Sequence, residues 1–303
     1  MQACVIFNPA AKGQKAERLR ARLDIVMRYA VLRKTAAAGD ARRFAAEAIG
    51  EGCHTVIAAG GDGTIHEVIN GIGDANAFDR VRLGVLPLGT INVFAREMEI
   101  PSDPDKAWSL IVRGRYTRID LGWAEFSENG APQRRYFMQL GGVGLDARAI
   151  QLVDMQHKKR IGPMAYVLAG LKALLERQPR LTVTANKKSV TGELALFGNG
   201  KLYGGRMAIF PQARLRDGML DVCVFSRASL VSVLGDALFA AVVGRLPGDG
   251  EQRLHVAEFA VTAEQVNGNA RPTNVGFELD GEWVGRLPAK FGVEREKLRV
   301  IVP

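Results

Sequence analysis

An α/β unit followed by a β-rich domain is predicted by three observations. The length of 303 residues is enough for two cores. Short apolar runs alternate with helical patterns up to about residue 120. Beyond Asp120-Leu121-Gly122 the texture changes to strand-like runs separated by turns. The expected divisions are 1–122, 123–288 and a C-terminal segment 289–303, whose Leu298–Val302 strand could pair in either domain.

In the first domain, strands are expected at Ala3–Phe7, Met27–Leu32, Thr55–Ala59 and Leu83–Leu86. Helices are expected at Ala16–Leu23, Ala41–Glu51, Ile65–Gly71 and after Asn92. Each strand hands over through a loop rich in Gly, Pro or Asn, the place where open parallel sheets bind ligands. In the second domain the expected strands are Arg135–Leu140, Leu181–Ala185, Ser189–Asn199, Met207–Phe210, Leu220–Phe225 and Gly276–Leu279. Helical insertions are expected at Met164–Glu176 and Leu230–Val243, and a polar hairpin loop at Asn129–Arg134.

Hydrophobic residues at 47% and charged residues at 24% exclude a disordered or fibrous chain. A net charge of +9, spread along the chain, favours anionic partners: nucleotide phosphates, an anionic membrane or nucleic acid. Neither an aromatic-basic platform nor a helix-turn-helix pattern supports nucleic acid. Cys4, Cys53 and Cys223 form no CxxC pair, which fits a reducing, cytoplasmic setting. The N-terminus reads as a strand rather than a signal peptide, and Leu230–Leu246 is too interrupted to span a membrane.

The segment Val56 to Glu67 carries the most chemistry. A buried strand ends in Gly60, Gly61 and Gly63, which admit a ligand close to the backbone, and Thr64-x-x-Glu67 reads as a capping box opening a helix. An Asp within an anion cradle repels bare phosphate, so Asp62 points to bound Mg2+ or a hydroxyl to be oriented. The plain alternative is a tight turn with Asp62 as turn former. Loops at Asn8–Gly13 and Pro87–Asn92 would line the same sheet edge. No GxxxxGK[ST] occurs and no GxGxxG opens a helix, so neither a Walker-type NTPase nor a standard dinucleotide fold explains them.

Five segments together resemble the diacylglycerol kinase catalytic-domain family: Asn8-Pro-x-x-x-Gly13, Gly60-Gly-Asp-Gly-Thr64, Leu86-Pro-Leu-Gly-Thr-Ile-Asn-Val-Phe-Ala-Arg96, Arg216-Asp-Gly-Met-Leu-Asp221 and Leu279-Asp-Gly-Glu282. The resemblance covers nearly the whole chain. It implies an N-terminal NAD-kinase/phosphofructokinase-like α/β nucleotide-binding domain and a C-terminal β-sandwich-like lipid-binding domain. It also implies an ATP- and Mg2+-dependent lipid kinase working in a cleft between them. Asn8, Thr35, Gly60, Gly61, Asp62, Gly63, Thr64, Glu67, Gly89, Thr90 and Asn92 would then hold ATP. Asp217, with the main-chain carbonyls of Arg214 and Met219, would hold a structural Mg2+; the plain alternative is an ordinary Asp-Gly turn.

The resemblance places the general base at Glu282 or Asp280, with Glu282 favoured, and gives Asp120 a supporting role. In an extended segment Asp280 and Glu282 would share one face, although Gly281 could redirect one of them. Val93 stands where diacylglycerol kinases carry a second acid; sphingosine kinases also lack it, so the change could mark another lipid or a weak enzyme. His66-Glu67-x-x-Asn70 lacks the second His of a zinc protease. The implied partners are a lipid with a free hydroxyl and peripheral contact with an anionic membrane, while a homodimer stays open. Membrane contact would use Met164–Leu175 and Leu230–Val243 beside Lys158-Lys159-Arg160 and Lys187-Lys188, stretches that could equally be core. Two other readings remain: an NAD-kinase-like phosphotransferase on a soluble hydroxyl, and a catalytically weak lipid- or nucleotide-binding protein.

Overall fold

The computed structural model describes residues 2–11, 17, 19, 26–145, 147–148, 179–203, 205, 207–227, 251–264 and 275–303. Apart from Glu17 and Leu19, the expected helix Ala16–Leu23 lies outside them. So do Lys12, Gly13, Lys158-Lys159-Arg160, Met164–Glu176 and Leu230–Val243. The chain divides into two compact units, Met1–Leu121 with Glu294–Pro303, and Gly122–Val293.

Unit one is built on β1 (Ala3–Phe7), β2 (Val31–Lys34), α1 (Asp40–Gly50), β3 (Thr55–Gly60), α2 (Asp62–Asp74), β4 (Arg82–Pro87), α3 (Val93–Glu97) and α4 (Pro104–Arg113). The strands run parallel in the order β2, β1, β3, β4. Every residue of β1 and β3 is buried, as a parallel strand covered on both faces requires. The expected strand Met27–Leu32 is corrected to Val31–Lys34: Met27 and Tyr29 are half exposed, and parallel pairing with β1 begins only at Val31. The helix α4 was not expected. Asp103 caps it by accepting from the Asp105 and Lys106 N–H groups, Pro104 occupies its first turn, and Gly114 ends it at φ 68°.

Next come β5 (Tyr116–Glu128), β6 (Ala131–Phe137), β7 (Leu140–Gly144), β8 (Leu181–Ala185), β9 (Lys188–Gly192), β10 (Leu194–Gly198), β11 (Leu202–Tyr203) and β12 (Met207–Ala208). The last six strands are β13 (Leu220–Phe225), β14 (Glu251–Val256), β15 (Glu258–Ala263), β16 (Gly276–Leu279), β17 (Glu282–Arg286) and β18 (Ala289–Ile301). The C-terminal strand is thus far longer than expected. Its end pairs in unit one, Arg299 and Val300 lying parallel to Arg82 and Leu83 of β4.

Unit two is a sandwich of antiparallel strands. One layer holds β15 between β8 and the start of β18, with β9 beyond β8 and the β5–β6 hairpin beside them; the other runs β14-β13-β10-β7-β16-β17. Phenylalanines from both layers fill the space between. The Phe197 ring of β10 lies 4.6 Å from Phe291 and 5.2 Å from Phe259, and Phe277 of β16 lies 5.1 Å from Phe126.

Three expectations change here. The loop Asn129–Arg134 is a two-residue Asn129-Gly130 turn, both residues at positive φ, which matches strand twist and leaves Arg134 in β6. Arg135–Leu140 is two strands, β6 and β7, that part at Met138-Gln139. Ser189–Asn199 is likewise two, broken at Glu193. Among the described residues, no helix is long and apolar enough to cross a membrane. The three cysteines are free and buried, and burial, with Cys53 adding to it, pushes the Cys4 thiol up to about 12.

Candidate active site

Three loops follow the C-terminal ends of β1, β3 and β4 and meet in unit one. After β1, the Asn8 side chain accepts from the Ala10 N–H at 2.9 Å and donates to Thr64 Oγ1 at 3.3 Å, so this loop is tied to α2. After β3, α2 opens at Asp62 with Gly61 as its cap residue. The capping box expected at Thr64 and Glu67 is not formed: the helix begins earlier, and both side chains are used elsewhere. Glu67 accepts from the N–H groups of Gly39 and Ala41 at 2.9 and 3.0 Å, locking the loop before α1 against α2.

Asp62 accepts from the N–H groups of Val93 and Phe94 at 3.0 and 3.2 Å. Its carboxylate therefore caps the short helix α3 from another loop, which is a different role from a turn former. Gly89 lies against Gly61: a Cβ on Gly89 would sit 2.7 Å from the Gly61 Cα. Thr90 is exposed at the lip. Asn92, in left-handed conformation at φ 53°, donates to the Gly89 carbonyl at 2.6 Å, while its Oδ1 is buried with no partner. A glycine-lined edge with an unfilled buried acceptor fits a nucleotide that brings N–H or O–H donors and phosphates.

Substitution of Gly89 tests this packing. Gly89→Ala is expected to force the two loops apart at a cost of about 1–3 kcal/mol. Urea unfolding with the wild-type midpoint would contradict it.

Thr35 donates its N–H to the Phe7 carbonyl at 3.0 Å, placing it beside the end of β1. The following loop is held by Asp40, whose carboxylate accepts from the Ala36 and Ala37 N–H groups and pairs with Arg43. Those backbone bonds, then the bond to Arg43, hold the Asp40 carboxyl down at about 2, below its ordinary 3.8. A lowered value means stability present above pH 3.8 and lost as pH falls through about 2. Asp40→Asn is thus expected to be less stable than wild type at neutral pH. The gap should narrow below about pH 4 and close near pH 2. Urea unfolding across that range checks it, and a constant gap would count against it.

Asp120 is fully buried on β5 and accepts from the Glu296 N–H of β18 at 2.7 Å, so at least one of its oxygens serves the fold.

In unit two, Asp217 sits in a turn with Gly218 at φ 73° and accepts from the Met219 N–H at 3.0 Å. Asp217, Arg214, Gln212, Asp221 and His255 line a concavity of about 410 Å3. His255, not singled out in the sequence, has Nδ1 3.1 Å from Asp221 and Nε2 3.9 Å from Asp217. Among the described residues no three metal-ligating side chains converge. Asp217 and Asp221 put carboxylate oxygens, the ligand type a hard divalent cation prefers, on this concavity.

The Asp280-Gly281 pair is the turn of the β16–β17 hairpin, at φ 53° and 84°, with Leu279 paired to Glu282. The expectation of two carboxylates on one face of an extended segment is therefore corrected, because the turn separates them. Asp280 accepts from the N–H groups of Met138, Gln139 and Leu140 at 2.8, 2.9 and 3.2 Å. The Glu282 side chain is exposed and, among the described residues, engages no hydrogen bond or ion pair. Sequence reasoning missed Glu278, a buried carboxylate that accepts from the Gly281 N–H at 2.7 Å and braces the turn. It also missed Asn199, which donates to the Met138 carbonyl at 2.9 Å.

Residues 2–124 match the Diacylglycerol kinase catalytic domain, and residues 141–302 match the YegS C-terminal NAD kinase beta sandwich-like domain. A Diacylglycerol kinase of Staphylococcus aureus (strain bovine RF122 / ET3-1) is 30% identical over 297 residues, covering 96% of this chain and 89% of that protein. One from Staphylococcus carnosus (strain TM300) is 30% identical over 316 residues, covering 100% and 95%. A crystal structure of a diacylglycerol kinase from Bacillus anthracis str. Sterne superposes with a TM-score of 0.69 at 18% identity, covering 99% of this chain and 96% of that one. Yeast NADH kinase complexed with NADH superposes at 0.57 with 10% identity, covering 100% and 84%.

An NAD-kinase/phosphofructokinase-like α/β domain followed by a β-sandwich is the architecture this chain shares with the two family models and with yeast NADH kinase. Within that architecture, the chain belongs to the diacylglycerol kinase catalytic-domain family.

Proposed function

We propose that the protein is an ATP- and Mg2+-dependent lipid kinase that transfers the γ-phosphoryl group to a lipid hydroxyl. The observation that carries this reading is the β16–β17 hairpin: Asp280 is tied down by three N–H groups, while Glu282 stands exposed and unbonded beside it. A carboxylate free of partners is available to accept a proton, which the first of the two is not. Relatives named Diacylglycerol kinase, matched along nearly the whole chain, support a lipid as acceptor.

In this reading the loops at Asn8, Thr35, Gly60 to Thr64 and Gly89 to Asn92 hold ATP. Asn92 Oδ1 accepts from the nucleotide, while Asp62 and Glu67 position the loops rather than touch it. Asp217 would hold Mg2+ with the carbonyls of Arg214 and Met219, and Asp120 fixes the strand that carries it. Mg2+ bound with ATP supplies neutralisation of phosphate charge. Glu282 takes the acceptor hydroxyl proton at a carboxylate oxygen as the new O–P bond forms and the bond from the γ-phosphorus to the departing ADP breaks. Asp280 orients the hairpin.

The reading is tested by ADP release from Mg-ATP in mixed micelles. Release should rise with the mole fraction of hydroxyl lipid and stay at background with NAD in solution. Release driven by NAD and indifferent to lipid would overturn it in favour of a soluble acceptor.

A further inference from the structure

We infer that Gln139 reads the acceptor lipid, and that this lipid carries an O–H or N–H donor and a carbonyl beside the hydroxyl that is phosphorylated. The inference rests on the lipid-kinase reading above. Gln139 lies at the break between β6 and β7, where every backbone group of residues 138–140 is satisfied. The three N–H groups go to the Asp280 carboxylate. The Met138 carbonyl accepts from Asn199 Nδ2, the Gln139 carbonyl from the Asn199 and Gly200 N–H groups, and the Leu140 carbonyl from the Asp280 N–H.

Against that fully bonded backbone, the Gln139 side chain stands out. It is 4% exposed, and both Oε1 and Nε2 are buried with no hydrogen-bond partner. It packs over Gly200, where a Cβ would come within 1.9 Å of Oε1. An apolar side chain of the same length would fill this space without the penalty of an unpaired buried amide, so packing alone does not account for a glutamine here. The bonds to Asp280 also fix Gln139 to the hairpin that carries Glu282, so the group that reads the lipid and the group that takes its proton move together.

A carboxamide offers one acceptor and a pair of donor hydrogens. The ester carbonyl of a diacylglycerol can accept from Nε2, but that lipid has no donor left for Oε1 once its hydroxyl proton goes to Glu282. A monoacylglycerol, through its second hydroxyl and its ester, fills both ends. An N-acylated amino alcohol does the same through its amide. The shared chemistry is a donor and a carbonyl next to the reacting hydroxyl, and separate arms of the test distinguish the two sources.

The experiment compares kcat/KM of the full chain for monoacylglycerol, N-acylated amino alcohol and diacylglycerol in mixed micelles, with wild type and Gln139→Met. Ratios between lipids do not depend on the folded fraction, so partial instability cannot mimic the result. Wild type should favour at least one donor-bearing lipid over diacylglycerol by about tenfold or more, and the ratio should fall to about one in Gln139→Met. The thermal midpoint of the variant should not drop. A ratio unchanged in Gln139→Met, or a wild type that favours diacylglycerol, overturns the inference while leaving the lipid-kinase reading standing. Transfer to none of the lipids overturns that reading, and this inference with it.

Discussion

Glu282→Ala is expected to lose about 10²-fold or more in turnover while retaining wild-type affinity for Mg-ATP and wild-type stability. The reasoning is local. Glu282 is exposed at the start of β17 and holds nothing together, so its removal leaves the hairpin intact. The Asp280-Gly281 turn, Glu278 and the 138–140 segment all keep their bonds. Single-turnover kinetics beside a nucleotide titration would check this. A variant that keeps turnover would remove Glu282 as the base, and one that loses ATP affinity instead would make it a binding residue.

Asp280→Ala is expected to fail differently, by destabilising unit two by about 2–4 kcal/mol. Three backbone donors lose their acceptor, and an alanine must adopt the positive φ that Asp280 adopts at 53°. Asp280→Asn should be milder, because asparagine tolerates that conformation and retains an acceptor oxygen. Urea unfolding would show it as a lower midpoint with an unchanged slope. An Asp280→Ala protein of wild-type stability with turnover lost would give Asp280 a chemical role instead.

The contrast between those two carboxylates was not legible in the sequence, where Leu279-Asp-Gly-Glu282 reads as a pair. What separates them is a contact 140 to 142 residues away in the chain, made by the backbone of residues 138–140, and no local pattern announces it. The same long-range bond explains why Arg135–Leu140 reads as one strand and folds as two. Glu67 shows this too: its neighbours suggested a capping box with Thr64, but its oxygens accept from the Gly39 and Ala41 N–H groups.

Where local physics decides, the sequence is readable. Ala3–Phe7, Leu181–Ala185, Leu220–Phe225 and Gly276–Leu279 are strands with the bounds expected, since each is an apolar or alternating run closed by turn residues. The helix Pro104–Arg113 was missed, although Asp103-Pro104 and Gly114 supply a start and a stop signal for it. The length of Ala289–Ile301 was hidden by the charged run Glu294 to Lys297, which interrupts the apolar pattern without ending the strand.

The most direct test of the lipid-kinase account is to incubate the protein with Mg2+, ATP labelled at the γ-phosphate, hydroxyl lipids in mixed micelles and NAD in solution, and then to find the label. It is expected in the lipid phase, on a phosphorylated lipid whose formation stops in Glu282→Ala. Label on NAD, or none on any acceptor from a protein that still binds ATP, would contradict it.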